Sequence, residues 1–417
     1  MTSFYLSFRS LKNRLLLVIL ISSSLGLSLF SYLSFERIKG SAEESFRRGI
    51  SGTDLIVGPR TGPLQLLLYS AFNIGSPSNS LRIESYEEMR NHPAILSAIP
   101  ISIGDSHQGY RVIGTQAHFF TDFIFSRDRR LEFREGRAFQ DALEVVLGAE
   151  LALRLQYKIG DSIVLQHGVG GDSFFEHSDY QFEVVGILER TNTLLDESLL
   201  ASLEGIEQIH HGWEDGAPPL ESPGVLEPSL LKPKFVSAVF VRLKDRLSIL
   251  QVQREINSKS GEPLTAIMPG VVFQELWTIV SFVDRLFQVI LGVVLFLCFV
   301  SSFVLLWLSL ELRRREMAIY RSLGAPPGFI FKLMFWEGLT ISLLGLVIAL
   351  ILFYGLWPLW SYLAEKSFGI SLSFGPLTGS EWSTLLLFIS FSLAGALIPA
   401  IKAYREPHLI SQLKVRL

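Results

Sequence analysis

Apolar residues in this 417-residue chain gather into four long blocks, at 15–35, 286–310, 338–359 and 382–400. A helix needs roughly 20 apolar residues to cross a hydrocarbon core about 30 Å thick, and each block is of that order. The blocks predict four transmembrane helices. Between the first and second lies a long polar stretch of ordinary globular patterning, which predicts one large domain outside the membrane. Residues 271–323 contain no proline and only one glycine, Gly292, and apolar positions recur at Val272, Leu276, Ile279, Val280 and Val283. That periodicity predicts a nearly continuous helix of roughly 80 Å, longer than any membrane crossing. About 15 residues should project outward as a stalk, carrying Asp284 and Arg285 near the interface. The segment 36–48 is expected to be helical too.

Basic residues fix the sidedness. Arg9, Lys12 and Arg14 precede the first span; Arg313, Arg314, Arg315, Arg321 and Lys332 lie between the second and third; Lys402, Arg405, Lys414 and Arg416 follow the fourth. Only Lys366 lies between the third and fourth. Positive flanks stay in the cytoplasm, so both termini are expected there, with residues 36 to about 275 outside. The first span reads as a retained anchor rather than a cleaved leader, because no small-residue cleavage pattern immediately follows it.

Within the outer stretch, strands are expected at 54–57, 98–103, 110–113, 145–147, 162–166, 182–188 and 235–241. Helices are expected at 86–90, 150–155, 196–209 and 247–259. The fold class is therefore a four-helix membrane protein with a large α+β extracytoplasmic domain inserted between helices 1 and 2. The boundaries follow: an N-terminal segment 1–14, a domain with helical stalks at 36–285, an elbow at 311–337, a short outer loop at 360–381 and a tail at 401–417. Segment 210–233, with five prolines, is the clearest loop.

Composition narrows the function classes. The chain is 49% hydrophobic and 18% charged, with net charge −3 and no clustered basic surface, so nucleic acid is not an expected partner. The lone cysteine, Cys298, lies inside an apolar block, so the outer domain must stand on its core without an internal disulfide.

Several patterns imitate chemistry. Gly-Asp-Ser occurs at 104–106, 160–162 and 171–173, but three copies of a supposedly singular nucleophile, with only His107 beside Ser106, read as tight turns. The glycine run 168–171 is followed by no lysine that could meet a phosphate and reads as a loop. Segment 191–231 holds eight acids and neither lysine nor arginine. Within it Glu207, His210, His211 and Asp215 are weak metal-ligand candidates. Their spacing matches no specific metal motif, and a solvated acidic surface is the simpler reading. The apolar segment 53–69 reads as a buried strand and helix; in the alternative, Leu64 and Leu68 face a gap between two protomers where a lipid-like substrate enters. No residue pattern indicates covalent chemistry or a cofactor held by this chain.

At the inner end of the second span, Glu311 and Arg315 stand at the favourable i,i+4 spacing, Gly324 suits a helix C-cap, and Pro326 or Pro327 suits the next helix start. The run from Arg314 to Ala325, RREMAIYRSLGA, resembles the signature of FtsX-like, or MacB-type (type VII), permeases of ATP-binding cassette transporters. In the outer domain, the segments VVLGAELA from Val145, Gly160-Asp161, and VVGIL from Val184 followed by Thr191, Thr193 and Asp196 resemble the MacB periplasmic core domain.

The resemblance implies a non-catalytic permease subunit in a bacterial inner membrane with a periplasmic domain. Its elbow would contact a separate ATPase through Glu316, Arg321, Gly324, Ala325, Pro326 and Phe331. No G-x-x-x-x-G-K-[ST] loop occurs here, so ATP and Mg would be bound by the partner ATPase. A second permease copy or paralogue, membrane lipids, and a periplasmic adaptor or substrate-binding protein are the further partners implied. Such a mechanotransmission complex would export or release an envelope substrate: a lipoprotein, lipid, peptide or toxic small molecule. The alternative is an FtsX-like regulator that transmits ATPase motion to a periplasmic cell-wall hydrolase.

Overall fold

The computed structural model describes residues 7–405 except 8, 10, 13, 51, 127–128, 169–174, 178, 212–225, 227–230, 313–318, 321 and 369–374. The chain divides into two compact units: Ala42–Val280 with Ser367–Ser371, and Met1–Ser41 with Ser281–Lys366 and Leu372–Leu417.

The first unit is the α+β domain. Its main sheet has twelve strands: β1 (Leu55–Pro59), β2 (Ile95–His107), β3 (Tyr110–Thr115), β4 (Phe133–Gly136), β5 (Glu144–Leu147), β6 (Ser162–Ile163), β7 (Gln166–His167), β8 (Phe175–Glu176), β9 (Phe182–Leu188), β10 (Leu199–Ser202), β11 (Ala238–Leu243) and β12 (Leu264–Ile267). The spatial order is β12-β1-β11-β2-β3-β10-β5-β9-β4, with β7 pairing β2 and β8, and β6 pairing β9. The β10–β3 and β9–β5 pairs are parallel. Central strands such as β5 and β10 are buried along their whole length, which is why Val145–Leu147 and Leu199–Ala201 read as unbroken apolar runs rather than alternating ones. One core gathers Ile56, Leu66, Tyr69, Phe119 and Phe240; another packs Val145, Leu151, Phe182 and Leu199. Each such side chain contributes about 1.5–3 kcal/mol on burial.

Five helices pack on this sheet's strands and edges, α2 (Pro63–Phe72), α3 (Ile83–Arg90), α4 (Ala149–Leu155), α5 (Leu203–His210) and α6 (Ile249–Asn257), together with a single turn at Phe119–Asp122. Helix α5 begins where Ser202 caps it, its hydroxyl accepting from Gly205 N at 2.9 Å.

Two expectations are corrected. The helix expected at 196–209 is a 3-10 turn at Leu194–Glu197, then β10, then α5. The run from Leu199 to Ser202 is apolar enough for either state, and burial between β3 and β5 decides for strand. The Gly104–Ser106 triplet is no turn: it lies within β2, where the register against β3 slips between Ile103 and Ser106 and leaves one extra residue. Such a slip is a β-bulge, and glycine in a strand interior is its usual mark. Gly160 does turn, with φ +88°, while Gly171–Ser173 and most of the proline-rich loop lie outside the described residues.

The acidic segment is not wholly a solvated surface either. Asp196 is buried and accepts from Thr191 N, Thr191 Oγ1 and Asn192 N at 2.7–2.8 Å. Glu197 pairs with Arg154 at 3.0 Å.

The second unit is helical. Among the described residues, three helices are long and apolar enough to cross a membrane, over Leu15–Gly49, Pro269–Val294 and Gly328–Gly355. They belong to α1 (Leu15–Ile50), α7 (Pro269–Leu312) and α8 (Pro327–Gly355), with α9 (Trp357–Phe368) and α10 (Gly379–Arg405) following. Helices α1 and α8 approach at Gly26 and Gly345; a Cβ on Gly26 would stand 2.8 Å from Gly345 O. Small residues at a crossing let helix backbones pack where lipid offers no hydrophobic drive. The Ser342 and Ser392 hydroxyls join α8 to α10.

In the second half of α1, Arg37 forms a buried bidentate pair with Glu381, both contacts 2.5 Å. Arg37 also donates to the Gly375 and Pro376 carbonyls and stacks over Phe353 and Trp357. Glu381 accepts from Thr378 N as well. Lys39 pairs with Asp284 at 2.6 Å.

Candidate functional site

The elbow is built by a helix stop and a helix start. Gly324 takes φ +90°, a backbone region closed to most side chains, and Ala325 N donates back to Tyr320 O at 3.0 Å. That six-to-one bond is the Schellman closure expected of a glycine C-cap. Pro326 caps the next helix and Pro327 opens it, where its missing N–H costs nothing. Ile330 and Met334 are buried, Phe329 and Phe331 pack against them, and Tyr320 meets Phe329 edge-on at 6.1 Å. The backbone is thus fixed from within, while Leu323 is 79% exposed and Pro326 faces outward. Glu316 and Arg321 lie outside the described residues.

Leu64 and Leu68 sit on α2, partly buried, packed against the core that fully encloses Leu66 and Leu67. In the membrane unit an apolar cleft of about 310 Å³ opens between α1, α7 and α10, lined by Leu25, Tyr32, Phe296, Phe299, Phe388 and Phe391, among others.

The outer domain assembles a second constellation. Asp105, His167, His177 and His210 each present one ligand-type atom, all within 4.8 Å of one another. The antiparallel register of β7 on β2 sets His167 directly across from Asp105. His177 follows β8, and His210 ends α5. His167 Nδ1 lies 3.0 Å from His210 Nε2, and these nitrogens lie 3.3 and 3.2 Å from Asp105 Oδ1. The three imidazoles stand nearly perpendicular, with interplanar angles of 72–87°.

Burial drives the Asp105 carboxyl upward, but His167 and His210 outweigh it and hold it down at about 2. Burial pushes His177 down to about 4 against the pull of Asp105. His210 goes the other way, because Asp105 overcomes its desolvation.

Of the four weak metal candidates from the sequence, only His210 belongs to this cluster; Glu207 and His211 do not, and Asp215 lies outside the described residues. Asp105 was hidden in a triplet that reads as a turn, and His167 and His177 flank the glycine run. A recurrence of histidines on both sides of a glycine-rich hairpin was the one signal available. The neighbouring His107 is engaged elsewhere, with Val164 O at 2.7 Å and Tyr157 Oη at 3.0 Å, and forms no dyad with Ser106.

Both halves of the chain match known families. The model of the MacB-like periplasmic core domain covers residues 19–259, and that of the FtsX-like permease C-terminal region covers residues 288–407. The chain belongs to the MacB-type, FtsX-like family of ATP-binding cassette permeases. This is a family of inner-membrane permeases that carry a periplasmic domain, work with an ATPase subunit in dimer-like assemblies, and are generally non-catalytic themselves. Among solved structures, the periplasmic region of MacB from Actinobacillus actinomycetemcomitans is similar at 11% identity and TM-score 0.34, covering 55% of this chain and 97% of its own. The extracellular domain of the noncanonic ABC-type transporter YknZ from Gram-positive bacteria is similar at 13% identity and TM-score 0.31, covering 52% and 98%. Comparison with curated proteins found no match.

Proposed function

We propose that this chain is the permease subunit of a mechanotransmission complex whose ATPase is a separate polypeptide. Four spans, at 15–35, 286–310, 338–359 and 382–400, place both termini in the cytoplasm and residues 36–285 in the periplasm. ATP and Mg bind the partner; closure of two ATPase subunits moves the elbow at 311–337, and α7 carries the motion outward. Cargo is an envelope substrate: a lipoprotein, lipid, peptide or toxic small molecule.

The observation that carries this reading is the elbow. Its turn is locked by the Gly324 cap and the Pro327 helix start, yet Leu323 and Pro326 stay exposed. A rigid turn with an apolar outer face transmits displacement instead of absorbing it. Helix α7 runs 44 residues without a break, about 66 Å at 1.5 Å per residue, and suits a lever. Glu316, Arg321, Gly324, Ala325, Pro326 and Phe331 form the coupling surface in this reading. Leu64 and Leu68, half-buried against the core on α2, are the residues that would face a gap for cargo; charged replacements that leave the domain folded and abolish release support the gap, and collapse of the domain assigns them to the core.

The test is to tag the C-terminus, solubilise the membranes gently and identify co-purifying soluble proteins by mass spectrometry. A phosphate-loop ATPase is expected, with its yield falling on Glu316→Ala or Gly324→Val. Its reproducible absence overturns the permease reading.

A further inference from the structure

We infer that Asp105, His167, His177 and His210 form a binding site for a divalent transition metal, Zn²⁺ above all, on the outer domain. The inference does not depend on the permease reading.

The donor set is three imidazole nitrogens and one carboxylate, the combination that suits zinc and disfavours magnesium or calcium. The spacing fits too. Zinc bonds of about 2.0–2.1 Å give a tetrahedron with edges of about 3.3 Å. The three contacts among Asp105 Oδ1, His167 Nδ1 and His210 Nε2 are 3.0, 3.2 and 3.3 Å. His177 supplies the fourth corner within 4.8 Å.

His210 Nδ1 lies 2.9 Å from Ile206 O, which can only accept, so Nδ1 carries a proton and Nε2 is the nitrogen that faces the cluster; in the neutral ring that nitrogen offers its lone pair to a metal. A backbone carbonyl holding the far side of a ligating imidazole is the usual support for a metal ligand. Asp105 Oδ1 is buried, and its contacts to the two histidines lack hydrogen-bond geometry, so the oxygen faces the same point without receiving a well-aligned proton.

The backbone is arranged to bring Asp105 there. The β2 bulge inserts its extra residue between Ile103 and Ser106, and bulges re-aim side chains at functional sites. On the other edge of β2, the β7–β8 hairpin brings His167 across from Asp105. The ion would thus staple three elements: the bulged strand, the hairpin and the end of α5. The His167 side chain is 46% exposed, which gives a dissolved ion a way in. Four protein ligands close the coordination sphere, so the site holds metal for structure or sensing.

The competing explanation is a hydrogen-bonded histidine cluster in which an imidazolium neutralises Asp105. The two differ in one measurable respect. Full-length protein is purified in detergent on a tag without histidine, stripped with chelator, and titrated with Zn²⁺ by calorimetry and by equilibrium dialysis with elemental analysis. One Zn²⁺ per chain with submicromolar affinity is expected, with Mg²⁺ failing to compete. His177→Ala and Asp105→Asn should each weaken it at least as much as the roughly 10–100-fold typical of losing a partner that only supports a ligand, while His92→Ala, away from the cluster, should leave it unchanged. Co²⁺ should give the intense visible bands of a tetrahedral site, which disappear in His177→Ala. Thermal melts of the metal-free variants check that each is folded, and Asp105→Asn keeps the shape of the native side chain. Absence of stoichiometric binding tighter than tens of micromolar in the wild type overturns the inference, as does equal binding by the folded variants.

Discussion

Two buried polar constellations, one in each unit, differ in how their hydrogen-bonding capacity is used. Around Arg37 and Glu381, donors and acceptors match: the guanidinium meets both carboxylate oxygens, two backbone carbonyls and two aromatic faces, and the carboxylate takes a further backbone N–H. Such a pair has no room for a ligand and works as a lock between α1 and the segment leading into α10. Around Asp105 the balance is reversed. Nitrogens and a carboxylate oxygen converge at 3.0–3.3 Å, and each of the three imidazoles can turn a lone pair to the common point. Convergence of polar groups therefore has opposite meanings: saturated groups hold a structure, and groups that can turn lone pairs to one point suit a cation.

The largest expected effect breaks the saturated side. Arg37→Leu or Glu381→Leu alone strands a buried charge and should cost about 3–5 kcal/mol, whereas the double replacement should recover most of that loss. Detergent melting curves of the three variants test it; additive losses would mean that the pair is not a unit. On the unsaturated side, Zn²⁺ at 100 times its dissociation constant should raise the stability of the wild type by about 2.7 kcal/mol and that of His177→Ala by about 1.4 kcal/mol at most. Equal stabilisation of both would place the metal elsewhere. A smaller effect is expected at the elbow: Gly324→Ala forces a side chain into the left-handed region at about 1–2 kcal/mol and should reduce ATPase coupling more than it reduces expression.

The smallest effect concerns the pair that half-exposed Arg137 makes with Glu144, buried at the start of β5. Arg137 first, then the Gln140 and Asp141 amides, draw the Glu144 carboxyl from its usual 4.5 down to about 2, against its desolvation. A depressed carboxyl contributes stability that is present above its unfolded value and is lost as pH falls through its folded one. Glu144→Gln should therefore lower the Tm by about 2 °C at neutral pH, a gap that closes between pH 4.5 and 2. A gap independent of pH would assign the loss to packing.

What could be read from the chain follows from how local each feature is. The strand at 182–188 and the Gly324 cap are specified by neighbours in sequence, and both form as expected. The family was legible for the same reason, since its signature is one contiguous run at the elbow. Strand β10 was misread because Leu199–Ser202 takes its state from partners at 110–115 and 144–147, far away in sequence. The His–Asp cluster was harder still. Its four members come from four segments between residues 105 and 210, and the placement of Asp105 depends on a bulge that shows in the sequence only as an interrupting glycine. His210 was identifiable as a possible ligand; the residues that join it were not.

The most direct measurement is the ATPase rate of the co-purified assembly in lipid nanodiscs, for the wild type and for Gly324→Val, Glu316→Ala and Phe331→Ala. A permease coupled through its elbow predicts normal assembly of the Phe331 variant with hydrolysis reduced several-fold, and a larger loss on replacement of Gly324. Hydrolysis that is indifferent to all three replacements would contradict the account.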